Sequence, residues 1–169
     1  MAVEAKRSTV IANATATPPV LNSPINEKGN LRESQGFINL VNADSIASTY
    51  RLFRIRSCDR VSQLLLYGPA VAGAAGDIGL YRTTQEGGAV VDADFFASAQ
   101  AFTSALNGAD VTFEAAAAGG LIANAEKRIW ESLGLAADPH LEYDVTVTLT
   151  AAATATGLWL ARLRYVAGE

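Results

Sequence analysis

The feature that most constrains the fold of this chain is an alternating run at residues 143–150. Every second residue from Tyr143 to Leu149 is apolar, and polar side chains fill the positions between them. Because successive side chains of a strand point to opposite faces, this pattern predicts an antiparallel strand with one buried face. Residues 158–166 alternate in the same way. The short segment between the two runs is typical of a turn, which predicts a hairpin.

Further short runs are rich in strand-forming residues and are bounded by Gly, Asn, Asp or Pro. They are residues 37–41, 50–55, 61–67, 78–81 and 111–113. With the two longer runs they predict about seven or eight strands. Because alternating strand–helix–strand units are absent, the pattern favours a mainly β protein, a β-sandwich of the jelly-roll or Greek-key type.

Helical periodicity is confined to two short segments, which predicts one or two short helices. Residues 124–134 place apolar side chains at helical spacing, and Gly134 suits the position just after a helix. Residues 95–102 are rich in alanine and have apolar residues three and four apart, so Asp92 or Asp94 could cap a second helix there.

The N-terminal part of the chain has a different composition. Residues 8–30 are rich in Thr, Ala, Asn and Pro, and Pro18, Pro19 and Pro24 oppose both helix and central strand. We therefore expect an extended N-terminal arm over residues 1–35, followed by a β-sandwich domain over residues 36–169.

The apolar residues of the arm are too sparse for a core of their own and too numerous for a solvated linker. They are Val10, Ile11, Val20, Leu21 and Ile25. Such residues are expected to dock on another surface, either the arm's own domain or a neighbouring subunit.

Composition narrows the classes of function. A net charge of −4 without a Lys- or Arg-rich run argues against a nucleic-acid partner, because binding to phosphates needs clustered positive charge. One Cys, one His and one Met argue against a disulfide framework, a Cys/His zinc site and a haem, so no metal or cofactor is predicted. No apolar stretch approaches the ~20 residues that span a bilayer, so no membrane partner is expected.

Candidate catalytic groups are few, and no enzymatic activity is predicted. The lone histidine, His140, is the one possible imidazole base, but its polar setting is typical of a turn. Cys58 has no neighbour other than arginines that would activate it, which favours a structural role.

Four aspartates suggest two kinds of site, a calcium-binding site or the paired carboxylates of a glycosidase. Asp92 and Asp94 are two residues apart, and Asp110 and Asp138 could join them in space. The segment lacks the glycine and the terminal glutamate of a calcium loop, so helix capping or hydration is favoured.

Arginines are the remaining feature. Arg51, Arg54, Arg56 and Arg60 cluster around one predicted hairpin, and Arg162 and Arg164 lie on the last predicted strand. Guanidinium groups on a strand face suit bidentate pairing with carboxylates across an interface. A solvated face with local ion pairs is the alternative. Arg51, Arg54, Arg56 and the five apolar arm residues form the predicted interface with another protein or another subunit.

Several runs resemble small virion proteins of tailed bacteriophages, specifically head decoration (cement) proteins. The runs are residues 48–55, 60–66, 77–81, 88–99 and 129–135, followed by the closing strands. The resemblance covers roughly residues 37–166. It implies a β-sandwich module that binds the outside of an icosahedral shell, often as a trimer, and braces neighbouring capsomers.

The resemblance implies a virion protein on the capsid exterior that is made in the host cytoplasm. Its partners would be the phage major capsid protein and further copies of itself, and no active site is implied. A tail or head-completion protein stays open as an alternative. A carbohydrate-binding β-sandwich is another, with Trp130 and Trp159 as the aromatic residues to consider, although both lie on predicted apolar faces.

Overall fold

The computed structural model describes residues 6–114 and 122–168. Residues 1–5 of the predicted arm, and residues 115–121 and 169 of the predicted sandwich, lie outside this range. The described part contains helices α1 (Thr9–Ala14) and α2 (Ile129–Ser132), and eight strands. The strands are β1 (Leu31–Leu40), β2 (Thr49–Arg56), β3 (Arg60–Gly68), β4 (Ala75–Arg82), β5 (Val90–Ala101), β6 (Leu106–Asp110), β7 (Glu142–Ala151) and β8 (Gly157–Val166).

The strands form two antiparallel sheets of four. Sheet I has the order β1-β8-β3-β6, and sheet II has the order β2-β7-β4-β5. Four of the pairings are β1 with β8, β2 with β7, β3 with β6 and β4 with β5. A long antiparallel hairpin wound into two layers would give this set, which is the arrangement of a jelly roll. The β-sandwich prediction is therefore confirmed.

The core lies between the two sheets. Sheet I contributes Trp159 and Leu163, and sheet II contributes Ile78 and Val147, all of them buried. The Trp159 ring meets Phe102 edge to face, with 4.8 Å between ring centroids. The alternation of β7 and β8 predicted Val147, Trp159 and Leu163 as inward residues correctly, because the period of two fixes which side chains share a face. The prediction of a single buried face is wrong for β7, since Asp144 and Thr146 on its other face are buried as well.

The predicted hairpin between β7 and β8 is wrong. β7 lies in sheet II and β8 lies in sheet I, so residues 152–156 cross from one layer to the other. Alternation shows which residues point to the core, and it does so equally for either layer. It therefore could not assign the two strands to different sheets.

The predicted helix at residues 95–102 is wrong, because residues 95–101 belong to β5. Phe95, Phe96 and Ala97 are buried one after another, so the period of two that marks a strand is absent here. The cause is an irregular register: Asp92 lies opposite Leu80, whereas Ala97 lies opposite Ile78. Between these two pairs β5 contains more residues than β4, so β5 bulges, and side chains on both of its faces are buried here.

Gly79 makes this bulge possible. A Cβ atom at Gly79 would lie 2.1 Å from the Asp92 carbonyl oxygen and 2.3 Å from the Ala93 carbonyl carbon. Any side chain would displace backbone there, so a glycine is required where β5 passes this close to β4.

The strand predicted at residues 111–113 is also wrong. β6 ends at Asp110, and the Asp110 carboxylate accepts the Thr112 N–H at 3.0 Å, which turns the chain. The Thr112 hydroxyl then accepts the Leu64 N–H at 2.6 Å. Just beyond β6, the Thr112 side chain therefore accepts the hydrogen bond that a backbone carbonyl would accept in a regular strand pair.

The predicted helix at residues 124–134 is present in reduced form. A 3-10 turn spans Ile122–Asn124, and α2 spans Ile129–Ser132. Gly134 follows with a φ of +72°, in the left-handed conformation expected after a helix.

The N-terminal arm is not extended throughout. Ser8 caps α1 by accepting the Ile11 N–H, and the helix ends at Ala14, ahead of the first proline. Proline opposes helix at its own position and just before it, so residues 9–14 were free to form a turn of helix. β1 begins at Leu31 and includes residues 31–35, which the sequence analysis assigned to the arm.

Candidate interaction surfaces

The arm folds back on itself through a polar network. The Asn22 side-chain amide donates to the Val10 carbonyl at 3.1 Å and to the Glu27 carboxylate at 2.6 Å. Asn13 donates to the Asn22 amide oxygen at 2.8 Å. The Val20 N–H donates to the Asn13 carbonyl at 3.0 Å. The arm is therefore a short hook held together by asparagines.

The hook is attached to the sandwich near Ile25, whose side chain is only 7% exposed. Arg60 donates to the Ile25 carbonyl at 3.0 Å and to the Ala125 carbonyl at 3.1 Å. The Ala167 N–H donates to the Asn30 carbonyl at 3.0 Å. The arm thus has a fixed base, and the residues before Ile25 project from it.

The other apolar arm residues have little contact with their own domain. Val10 is half-buried, Ile11 and Val20 are exposed, and Leu21 is 96% exposed. Of the five predicted interface residues in the arm, Ile25 thus packs on its own domain. Contact of the other residues with a neighbouring molecule stays a prediction.

The outer surface of sheet I carries an apolar patch. Phe37 lies opposite Leu160, and Leu160 lies opposite Tyr67, so these three side chains form one row across β1, β8 and β3. Leu158 extends the row along β8. Phe37 is 65% exposed, and Leu158 is exposed as well. We call Phe37, Tyr67, Leu158 and Leu160 the outer apolar patch.

The signal for this patch was present in the sequence. Alternation places Leu158 and Leu160 on the face of β8 opposite to Trp159, where solvent-facing residues would ordinarily be polar. Sequence reasoning did not select them, because the row exists only once β1 and β3 are paired on either side of β8.

Charged residues border the patch. The Arg164 Nε lies 2.9 Å from the Glu33 carboxylate, and the Arg162 Nε lies 3.5 Å from it. The Arg162 guanidinium lies 5.5 Å from the centre of the Tyr67 ring. Hydrogen bonding to Arg164 lowers the pKa of Glu33. The patch is therefore an apolar area beside a polar rim, as in protein interfaces.

The outer surface of sheet II is organised around Asp144. The Asp144 side chain is 9% exposed, and its carboxylate accepts Arg51 Nη1 at 2.8 Å and Arg54 Nε at 2.9 Å. Arg51 also donates to the carbonyls of Arg82 and Gly88. Two of the predicted interface arginines therefore pair with a carboxylate of their own chain.

Replacing Asp144 with Ala is expected to lower the free energy of unfolding by about 2–3 kcal/mol, because both arginines lose their buried acceptor. The matched control is Glu142→Ala on the same strand. Glu142 is exposed and pairs with Arg54 at 3.4 Å, so its loss should cost less than about 1 kcal/mol. Urea unfolding measures both values, and equal effects would contradict the assigned role of Asp144.

Arg56 lies apart from the other two arginines. Its guanidinium contacts the Asp59 carboxylate at 2.9 Å and donates to the Gly168 carbonyl at 2.8 Å. Hydrogen bonding to Asp59 raises the pKa of Arg56. The structure therefore does not gather the three arginines into one site, and their role in an interface stays a prediction.

The residues considered for nucleophilic chemistry do not form a triad. The Ser57 hydroxyl donates to the Asp138 carboxylate at 2.5 Å and accepts the Leu141 N–H at 3.1 Å. His140 Nδ1 lies 3.7 Å from the same carboxylate. The serine thus donates its proton to an acid and not to the imidazole. Burial raises the pKa of the neighbouring Cys58 thiol, which disfavours the reactive thiolate.

The four aspartates do not gather into a metal site. Asp110 is engaged by Thr112 and Gln63, and Asp138 by Ser57 and His140. Within residues 6–114 and 122–168, no group of three or more His, Cys, Asp or Glu side chains could hold a metal ion. Asp92 and Asp94 remain as an isolated pair on β5.

Asp92 provides a test by pH. Burial raises its pKa, and hydrogen bonding with Asp94 adds to the rise. A carboxyl with a raised pKa in the folded state stabilises the fold below its ordinary pKa of about 4, and this contribution is lost as the pH rises through the folded value.

Asp92→Asn is therefore expected to gain stability relative to the wild type as the pH rises from about 4 toward neutrality. The asparagine keeps the oxygen that accepts the Asp94 N–H. Thermal unfolding of both proteins across this range measures the difference. A difference that does not change with pH would show that Asp92 has an ordinary pKa.

The tryptophans do not form an exposed aromatic platform. Trp159 is buried in the core, and Trp130 is half-buried. A sugar-binding platform needs exposed rings, so this observation weighs against the carbohydrate-binding alternative.

Comparisons with known proteins identify the fold. No family model matches this chain, and no curated protein matches its sequence significantly. Among solved structures, a chain described as "Cyanophage Pam1 capsid asymmetric unit" matches with a TM-score of 0.53 at 15% identity. The match covers 90% of this chain and 96% of that chain. The two chains share a fold. Since nearly all of both chains is matched, they are also of similar length.

Within residues 6–114 and 122–168, no helix has the length and apolar character needed to cross a bilayer.

Proposed function

We propose that this chain is a virion structural protein that binds the outer surface of a phage capsid and braces neighbouring capsomers. Its partner would be the major capsid protein, and it would act as a trimer. The observation that carries the proposal is the likeness of fold to a chain of a phage capsid asymmetric unit over nearly the full length of both chains.

The exposed apolar surfaces support an interaction role. The arm presents Ile11, Val20 and Leu21 to solvent on an anchored base, and the outer apolar patch exposes Phe37 and Leu158. Such residues are costly to leave in water on an isolated protein and are typical of surfaces that bind a partner. The arm joins β1 at Leu31, whereas Phe37 and Leu158 lie farther along the β1–β8 pair, so one copy could contact two neighbours.

A protein that braces a shell acts by binding alone and needs no catalytic residues. A protein that binds the assembled shell more tightly than separate subunits stabilises the shell by mass action. Copies joined around a local symmetry axis bind through several contacts at once, so a modest affinity per copy is sufficient. A symmetric trimer would suit such an axis.

The test is the composition of purified phage particles that contain this chain. Peptide mass spectrometry identifies it, and a quantitative gel measures its ratio to the major shell protein. We expect a copy number comparable with that of the shell protein. Brief protease treatment of intact particles should remove it, because it lies outside, while the shell protein stays whole.

Absence from the particles would refute the proposal. A few copies per particle would refute the bracing role and favour the tail or head-completion alternative. Protection from protease in intact particles at high copy number would place the protein inside, against the proposed exterior position.

A further inference from the structure

A polar cleft of about 400 Å³ lies at one end of the sandwich, beneath the base of the arm. Ile25 and Asn30 line it on the side of the arm, and Ala167 and Gly168 line it on the side of the chain that follows β8. Its volume falls within the range of about 300–1,000 Å³ that is typical of ligand sites.

The charge of the cleft is opposite to that of the chain. Four of the ten lining residues are basic, namely Lys28, Arg32, Arg56 and Arg128, and none is acidic. The chain as a whole has a net charge of −4. A locally positive cleft on a negative protein attracts a discrete anionic group and disfavours a long polyanion.

Two of these cations are already engaged. Arg56 contacts Asp59 at 2.9 Å, and Lys28 lies 3.6 Å from Glu27. Within the described residues, Arg32 and Arg128 have no carboxylate within the 4.0 Å that defines an ion pair. Arg32 is exposed at the start of β1, and Arg128 is half-buried just before α2. The charge of Arg128 acts on the Asp138 carboxylate from beyond ion-pair distance. Neither guanidinium group is held in a direct ion pair, so both can pair with the carboxylates of a ligand.

We propose that this cleft binds an acidic peptide segment of a partner protein, with Arg32 and Arg128 pairing with its carboxylates. Guanidinium and carboxylate groups match in a bidentate geometry, which favours carboxylates as the ligand. A nucleic acid is a poorer fit, because stable binding to its backbone needs many phosphate contacts on a positive surface.

The cleft also adjoins the place where the arm leaves the body. A partner that covers the arm would pass close to the cleft, so an acidic segment bound there would fix the direction in which the arm projects. The proposal concerns the isolated protein and its ligand chemistry. It can therefore fail or succeed independently of the virion role.

The experiment measures binding of a fluorescent oligoglutamate peptide to the full chain by anisotropy at low ionic strength. The site variant is Arg32→Gln with Arg128→Gln. The control is Arg7→Gln with Lys127→Gln, which removes the same charge from residues outside the cleft lining. Circular dichroism verifies that each variant is folded.

We expect saturable binding that the site variant weakens by about tenfold or more, because two charge-assisted hydrogen-bonded pairs are lost. The control should bind as the wild type does. An equal loss in both variants would overturn the proposal, since it would show attraction by general charge alone. Undetectable binding would overturn it as well.

Two competitors separate the other sources of negative charge. If inorganic phosphate displaced the peptide at equal concentration, the cleft would be a site for small anions, and the peptide proposal would fail. If an oligothymidylate bound more tightly than the peptide and through the same arginines, the occupant would be a nucleic acid.

Discussion

Replacing Val147 with Asp is expected to abolish the folded state of the sandwich. Val147 is 1% exposed and lies in the middle of β7, where it packs into the core between the sheets. An unpaired carboxylate at this position would cost more than about 4 kcal/mol, which is comparable with the roughly 5–15 kcal/mol that stabilises a typical domain. Circular dichroism should show loss of β-structure and of a cooperative thermal transition.

Thr150→Asp is the matched control, because Thr150 lies on the same strand and is exposed. This variant should unfold within a few degrees of the wild type, as surface substitutions usually change stability by less than about 0.5 kcal/mol. If Val147→Asp unfolded at the temperature of the wild type, the inward face of β7 would be assigned incorrectly.

Deleting residues 1–22 is expected to weaken the proposed association with the capsid by at least about a hundredfold while leaving the sandwich folded. The deletion removes Ile11, Val20 and Leu21 but keeps Ile25 and its hydrogen bond to Arg60. Burying a large apolar side chain contributes roughly 1.5–3 kcal/mol, so losing three should weaken binding by at least about a hundredfold. Co-sedimentation with shells that lack this protein measures the loss.

A second variant separates the apolar contact from the length of the arm. Ile11→Ser with Val20→Ser and Leu21→Ser keeps the arm and removes its exposed apolar area. It should lose most of the binding that the deletion loses. Binding at the wild-type level by either variant would show that the arm does not dock on the shell.

Local pattern sufficed for the strands whose two faces differ in environment. β7 and β8 were predicted almost to the residue, because Val145 and Leu163 point into the core while polar residues lie on the opposite face. On β7 those polar residues, Asp144 and Thr146, are covered too, which alternation did not predict. The pairing of strands was not predictable in the same way. Which layer a strand joins depends on connections across the whole jelly roll, and alternation contains no information about them.

The errors occur where the backbone departs from a regular ladder. At β5, a bulge buries Phe95 and Phe96 in succession, so the sequence there lacks the alternation that identifies a strand. At β6, Leu106 to Asp110 includes Asn107 and Gly108, which are poor strand formers, so pairing with β3 overrides local preference.

The candidate surfaces were predictable from the sequence only in part. The sparse apolar residues of the arm predicted a docking segment, and the structure leaves Ile11, Val20 and Leu21 exposed. Docking itself stays a prediction. The basic cleft was not foreseen, because Arg32 and Arg128 are far apart in sequence and meet only when β1 and the segment before α2 come together. Of the predicted interface arginines, Arg51 and Arg54 pair with Asp144 on β7, whereas Arg56 pairs with Asp59 between β2 and β3.

The pairing of β1 with β8 has a consequence for how the protein is made. Leu31 lies opposite Val166, so β1 leaves the ribosome long before β8, the strand with which it pairs. β3 likewise pairs with β8 and with β6. Such long-range pairing makes folding slow, in the range of milliseconds to seconds, and largely confines it to the time after synthesis of β8. Until then the nascent chain exposes strands that can pair with other chains, so rapid expression should favour aggregates over folded protein.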